Sequence, residues 1–167
     1  MSDYAKVMKK YIDTKFEISL FHINNFGVGD QYIQFMKERY SEKYSQVIIN
    51  SGLMLEIIES AIKDEWTLIQ IVIDDPSVDE HSRDEIKSLV DNIKKDSIYF
   101  NDLKLYLDWA LDEGSIFIDS IRLAKTVNDK IMYCDVFSKG LLYSTGKEKL
   151  FEMTIKQIIE EYLNGKQ

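Results

Sequence analysis

The chain has 167 residues, of which 45% are hydrophobic and 30% charged. This composition excludes a disordered chain and is sufficient for one sizeable core. Seven glycines and one proline are fewer than average usage, about 12% of residues, and this scarcity favours long helices.

The formal net charge is −8. Residues 1–45 hold seven basic and six acidic residues, and the remainder holds 14 and 23. The acidic bulk repels phosphate backbones, so only the first 45 residues are candidates for contact with nucleic acid.

The single cysteine, Cys134, excludes an internal disulfide and fits a reducing compartment. A bilayer-spanning helix needs about 18 apolar residues. The segment 66–73 is shorter and is interrupted by Gln70. The first residues, Met-Ser-Asp-Tyr, lack the charged-then-apolar layout of a signal peptide. We therefore predict a soluble, cytoplasmic protein with no membrane partner.

Apolar residues recur at helical spacing along most of the chain. The segments are residues 4–12, 31–40, 53–73, 86–114, 121–137 and 150–163. Ser77 and Glu80 form a capping box ahead of the fourth segment, and Thr145 and Glu148 form another ahead of the last. These signals predict an all-α fold.

Three segments leave a second interpretation open. Residues 16–23 alternate apolar and polar side chains at their start, and residues 66–73 are rich in branched side chains. With residues 131–137 as a third strand, the alternative is an α+β domain with a small sheet.

Residues capable of catalysis are scattered. His22 and His81 lie far apart, and neither has a second histidine four residues away to complete a metal site. Cys134 lies on an apolar stripe with no nearby base, which is typical of a packed thiol. Gly27 and Gly29 lack the third glycine of a dinucleotide-binding loop. We expect no catalytic residues, no metal and no cofactor, and hence a protein that is not an enzyme.

The second half of the chain resembles the effector-binding and dimerisation domain of TetR-type (tetracycline-repressor-like) transcriptional regulators. The resemblance lies in residues 108–117, in Leu123-Ala124, in Gly140-Leu141 and in the amphipathic segment 150–165. It implies a TetR-like helical bundle over residues 46–167. It also implies an atypical helix-turn-helix module over residues 1–45, with Phe26-Gly27-Val28 at the turn.

The resemblance implies a dimeric, ligand-responsive regulator of transcription. Two chains would pair through residues 121–143 and 150–163, and a small apolar effector would bind between the helices of each. Effector binding would then change the affinity for DNA. The residues expected to line the effector site are Met54, Ile58, Trp66, Phe100, Trp109, Phe117, Tyr133 and Phe137. The residues expected to contact DNA are Gln31, Gln34, Lys37 and Arg39.

The acidic charge supports a different class of function. An acidic protein of this size could bind and neutralise a basic partner protein, as immunity or anti-defence proteins do. The sequence leaves this protein-binding module as the alternative to the regulator.

Overall fold

The computed structural model describes residues 3–23, 29–73, 78–112, 117–145 and 151–165, and it shows an α+β fold. Seven strands form one antiparallel sheet, and five α-helices surround it. In chain order the elements are β1 (Asp3–Ile12), β2 (Lys15–Ile23), α1 (Gly29–Ser41), β3 (Ser45–Gln46), α2 (Ser51–Lys63), β4 (Thr67–Val72), α3 (Glu80–Lys95), a 3-10 turn (Ser97–Tyr99), α4 (Phe100–Asp112), β5 (Ser120–Val127), β6 (Lys130–Phe137), β7 (Leu141–Ser144) and α5 (Glu152–Leu163).

The sheet order is β2-β1-β7-β6-β5-β4, with the short β3 also paired to β1. β1 and β7 are paired so that Tyr4 lies opposite Tyr143 and Ala5 opposite Leu142. The Val7 amide also donates to the Gly140 carbonyl at 2.8 Å. Strands from the two ends of the chain therefore lie side by side in one sheet.

Two hairpins are closed by two-residue turns. Asp13 and Thr14 join β1 to β2 with φ angles of 49° and 70°, and Asn128 and Asp129 join β5 to β6 with φ angles of 51° and 63°. Positive φ at both central residues gives the turn a twist that matches antiparallel strands. These turns set the register of both hairpins.

One face of the sheet carries most of the core. Ala5, Leu142 and Val136 are fully buried there, in one row across β1, β7 and β6. α2 packs between α4 and α5, and α5 also packs on β2. α3 packs along the edge strand β4 and against α4. Four helices thus cover this face and one edge of the sheet.

The opposite face is covered by α1 near β1 and β2. The Phe21 ring of β2 makes edge contacts with Phe35 of α1 and with Tyr44, at centroid distances of 5.8 Å and 5.1 Å. The Arg39 guanidinium lies 5.0 Å from the Phe21 ring centre. Residues 5–8 of β1 are therefore buried on both faces.

The predicted all-α fold is wrong. Residues 4–12 form β1, and residues 121–143, expected to be helical, contain β5, β6 and most of β7. Because helices cover β1 on both sides, Ala5, Val7 and Met8 are all buried, and the alternation of a half-buried strand is lost. The α+β alternative agrees with the structure, since its three segments overlap β2, β4 and β6, although the sheet is large.

The helix predictions agree at α1, α3, α4 and α5, and segment 53–73 agrees over its first part, which lies in α2. Two caps differ. α3 is capped by Asp79, whose carboxylate accepts from the Ser82 amide at 2.7 Å. The Thr145 hydroxyl accepts from the Tyr133 amide at 2.8 Å and so is not the cap of α5, which begins at Glu152. Ser77 and Glu148, the other members of the two predicted boxes, lie outside the described residues.

The predicted helix-turn-helix is also wrong, because residues 3–23 form a β-hairpin and α1 is the one described helix before β3. The proposed turn at Phe26-Gly27-Val28 lies outside the described residues. Within the described ranges, no helix has both the length and the apolar character needed to cross a membrane.

We predict that Gly140→Ala lowers the free energy of unfolding by about 2 kcal/mol or more, measured by denaturant titration. Gly140 has a φ of 78°, and an added Cβ would lie 2.4 Å from the Val47 carbonyl oxygen. Gly52→Ala is the control, because its Cβ would lie 3.4 Å from its nearest neighbour, Asn50 Oδ1, which is ordinary van der Waals contact. Equal stability of the two variants would contradict the close approach of Gly140 to the Val47 carbonyl.

A second prediction concerns Lys6, which is 2% exposed in β1. Its ammonium group donates to the Lys139 carbonyl at 2.6 Å. Burial, followed by the charge of Lys139, lowers the pKa of Lys6 from its ordinary value of 10.5 to about 8. Between these two pH values the unfolded chain binds more protons than the folded chain, so this residue's contribution to the unfolding free energy rises with pH.

We therefore expect the difference in unfolding free energy between the wild type and Lys6→Met to shift in favour of the wild type from pH 8 to 10.5. The expected change is on the order of 2 kcal/mol. Denaturant titrations of both proteins across this interval measure it. A difference that stays constant with pH would show that Lys6 keeps an ordinary pKa.

Candidate functional site

Helix α4 has apolar side chains on two opposite faces. Leu103 and Leu107 point inward and are fully buried. Leu105 and Trp109, one turn apart on the outer face, are 70% and 61% exposed. One face of α4 therefore completes the core, and the other presents large apolar side chains to solvent.

The 3-10 turn before α4 carries a further exposed apolar side chain, since Ile98 is 68% exposed. We call Ile98, Leu105 and Trp109 the α4 stripe. The Tyr106 ring lies beside the stripe, 6.2 Å from the Trp109 ring centre. Single exposed apolar residues are ordinary on protein surfaces, but a run of them on one element is typical of an interaction site.

Carboxylates border the α4 stripe. At helical spacing, the exposed Asp108 lies on one side of Leu105 and the exposed Asp102 on the other. Neither has a salt-bridge partner among the residues that the structure describes. Lys104 is the one basic residue of α4, and its ammonium pairs with Glu59 of α2 at 3.4 Å. The stripe thus has an apolar centre and an acidic border.

A buried polar cluster lies at the other end of the helix layer. Glu152, in the first turn of α5, is 3% exposed, and its Oε2 lies 2.6 Å from His22 Nε2. The Ser144 hydroxyl donates to Glu152 Oε1 at 3.3 Å and lies 3.9 Å from the sulfur of Cys134. In a catalytic triad the histidine lies between the hydroxyl and the carboxylate. Here the carboxylate lies between them, so the contacts anchor α5 to β2 and β7.

His81, the other histidine, lies on α3 with its Nε2 3.7 Å from Glu85. In the described part of the chain, no three His, Cys, Asp or Glu side chains form a group that could hold a metal ion.

Beyond α1, the second sheet face carries an ion pair. Arg122 of β5 lies opposite Asp135 of β6, with Nε 3.0 Å from Asp135 Oδ1, and its guanidinium lies 4.5 Å from the Tyr133 ring centre. Burial raises the pKa of Asp135, and the charge of Arg122 and its hydrogen bond act against this rise. The pair lies beside the cleft between α3 and β4.

The eight residues predicted to line an effector site do not share one site. Met54, Ile58, Trp66 and Phe100 are buried in the core, where the rings of Trp66 and Phe151 are 5.4 Å apart. Trp109 and Phe117 are exposed. Tyr133 and Phe137 alternate with buried residues of β6 and so lie on the opposite face of the sheet.

The four residues predicted to contact DNA all lie on α1. Gln31, Gln34 and Lys37 are exposed, and Gln34 donates to Glu38 at 3.1 Å. Arg39 pairs with Glu38 and with Glu42 and lies over two aromatic rings, so its charge is already neutralised within the fold.

The two segments expected to form a helical dimer interface have other roles. Residues 121–143 lie in the sheet, and Ile155 and Ile159 of α5 are fully buried in the core of the same chain. The four-helix interface is therefore incompatible with this fold.

Sequence reasoning named Trp109 but placed it inside a cavity, and it missed Leu105 and Ile98 as site residues. One signal was available. Leu105 and Trp109 are out of phase with Leu103 and Leu107, so the helix had to expose one of its two apolar sets.

We compared the chain with models of protein families, with characterised proteins and with solved structures, and found no match.

We predict that Leu105→Ser and Trp109→Ser each change the free energy of unfolding by less than about 0.5 kcal/mol, since both side chains are exposed. Leu107→Ala, on the buried face of the same helix, should lower it by about 2 to 5 kcal/mol. Thermal and denaturant unfolding measure both. A large loss of stability in the Leu105 variant would mean that the stripe is part of the core.

Proposed function

We propose that this chain is a protein-binding module without catalytic activity, which binds a basic, amphipathic segment of a partner protein on the α4 stripe. The observation that supports this proposal is the exposure of three large apolar side chains on a helix and its leading turn, with one carboxylate on each side of Leu105. The acidic protein-binding module was the alternative that the sequence left open. We propose the α4 stripe as its binding surface.

The stripe has the chemistry of an interface centre. A tryptophan with neighbouring aliphatic side chains supplies the buried contacts that dominate binding energies. Asp102 and Asp108 would pair with lysine or arginine at the border, where charges govern orientation and association rate more than affinity. An amphipathic helix with apolar residues at positions i, i+4 and i+7 fits such a surface.

The net charge of −8 favours the same partner. A negatively charged protein attracts a basic segment over distances of about 10 Å at moderate ionic strength. Capture of a basic protein is the action expected of an immunity or anti-defence protein, and a reducing compartment such as the cytoplasm suits the free, buried Cys134.

A second copy of this chain is a poorer occupant of the stripe. In a two-fold dimer the same patch faces itself, which would bring Asp102 and Asp108 of both copies together. Like charges across an interface are unfavourable. We therefore propose that a single copy is the binding unit.

The test uses Trp109 as a fluorescent reporter, because the chain has two tryptophans and the other, Trp66, is buried. The probe is an amphipathic leucine–lysine peptide of about 15 residues, long enough to form a helix. We expect its binding to shift the emission of Trp109 to shorter wavelength. Leu105→Ser should weaken the affinity by about tenfold, equivalent to about 1.4 kcal/mol.

Three controls make the result specific. Met153→Ser removes an apolar side chain that is 67% exposed on α5 and should leave the affinity unchanged. Asp102→Asn with Asp108→Asn should weaken binding and reduce its salt dependence, whereas Glu161→Gln on α5 should not. In Trp109→Phe the shift should be lost. Equal binding of a leucine–glutamate peptide, or an unchanged affinity in Leu105→Ser, would contradict the proposal.

A further inference from the structure

A second surface with distinct chemistry lies between α3 and the edge strand β4. A cleft of about 410 Å³ separates them. This volume lies within the range of about 300 to 1,000 Å³ that small-molecule sites occupy. Its floor contains Ile73, Ile86 and Val90, which are all buried, so the cleft has an apolar base.

The sides of the cleft carry positive charge. Among the residues that the structure describes, Arg83, Lys87, Lys94 and Arg122 line it, and Asp91 is the one carboxylate that does so. These five side chains together carry a formal charge of +3, although the whole chain carries −8. A cleft with low-dielectric walls and charges of one sign concentrates ions of the opposite sign.

The helix places its cations together. Arg83, Lys87 and Lys94 are separated by four and seven residues, so they lie on one face of α3. Arg83 is held in place, since its guanidinium donates to the carbonyls of Ile73 at 2.6 Å and Val78 at 3.3 Å. It supplies a fixed charge at one end of the cleft.

The remaining cations differ in how they are paired. Lys87 is exposed and makes no salt bridge to any residue that the structure describes. Lys94 pairs with Asp91 at 3.4 Å. Arg122 reaches in from β5 with its Nε bonded to Asp135, and its terminal nitrogens have no acceptor among the described residues. Lys87, Lys94 and the Arg122 terminal nitrogens can therefore donate to an anion.

We infer that the α3–β4 cleft binds a small organic anion that has an apolar body. The anionic group, a carboxylate or a phosphate, would lie between Lys87, Lys94 and Arg122. The apolar body would lie on Ile73, Ile86 and Val90. This inference does not rest on the α4 stripe, because the two surfaces have no residue in common.

The residues that line the cleft match a ligand with both an anionic group and an apolar body. An inorganic anion would leave the isoleucine and valine floor wet, and a neutral apolar compound would leave the cations without a partner. A nucleic-acid backbone is too long for a cleft of this volume and would be repelled by the acidic surface around it.

The probes are octanoate, octanol and inorganic phosphate, each titrated into the intact chain by calorimetry. We expect octanoate to bind and the other two to bind at least about tenfold more weakly, a difference of about 1.4 kcal/mol. Amide chemical shifts in the same titration should change along α3 and β4. Raising the salt concentration should weaken octanoate binding.

The variant is Lys87→Gln with Lys94→Gln, which should weaken octanoate binding at least about tenfold. Lys37→Gln with Lys130→Gln is the matched control, since it removes two exposed lysines from α1 and β6 and should leave binding unchanged. Circular dichroism confirms that both variants fold.

Equal affinity for octanol would overturn the inference by showing an apolar site only, and equal affinity for phosphate would overturn it by showing a simple anion site. Absence of octanoate binding, or shifts confined to α4, would overturn it as well.

Discussion

The pairing of β1 with β7 is the contact on which the rest of the fold depends. It joins residues separated by more than a hundred positions, and without it the β1–β2 hairpin and the β4–β7 strands would be separate sheets. Gly140 approaches Val47 closely at this point, and Lys6 donates to the neighbouring Lys139 carbonyl. Such distant pairings form slowly because loop closure must precede them.

Once the sheet is continuous, its core face determines where the helices lie. α2 carries buried residues along most of its length, and α4 and α5 pack on either side of it. α4 can present only one of its two apolar faces to this layer. Leu103 and Leu107 occupy the inner position, so Leu105 and Trp109 must point outward. The exposure of the α4 stripe is thus a consequence of how the core is completed.

The two proposed sites carry opposite charges because they lie on different helices. α4 is bordered by aspartates, whereas the inner face of α3 gathers lysines and arginines against β4. The overall charge of −8 conceals this separation. A basic segment would be attracted to one side of the helix layer, and a small anion to the cleft at the sheet edge.

The sequence predicted those elements whose periodicity reflects one buried face. α1, α3 and α5 each bury a single stripe, and all three were predicted as helices. β1 was missed because it is buried on both faces, so its apolar residues do not alternate. β5 was missed, and β6 was predicted only in the α+β alternative, because Asn128-Asp129 was not recognised as the two-residue turn between them.

The site was harder to predict for a related reason. Trp109 was placed in a cavity because large apolar residues are usually buried, and nothing local distinguishes the inner from the outer face of α4. Only the position of α2 decides which of the two apolar faces of α4 is covered. The cations of α3 were visible in the sequence, but their proximity to Arg122 depends on the pairing of β4 with β5.

The central claim, that the outer face of α4 is a docking surface for a basic segment, is tested most directly by mapping contacts at each residue. Amide spectra of the isotopically labelled chain would be recorded during titration with the leucine–lysine peptide. The account predicts shifts concentrated in residues 97–109, with α5 and the sheet unchanged. Shifts spread evenly over the acidic surface, or concentrated away from α4, would contradict it.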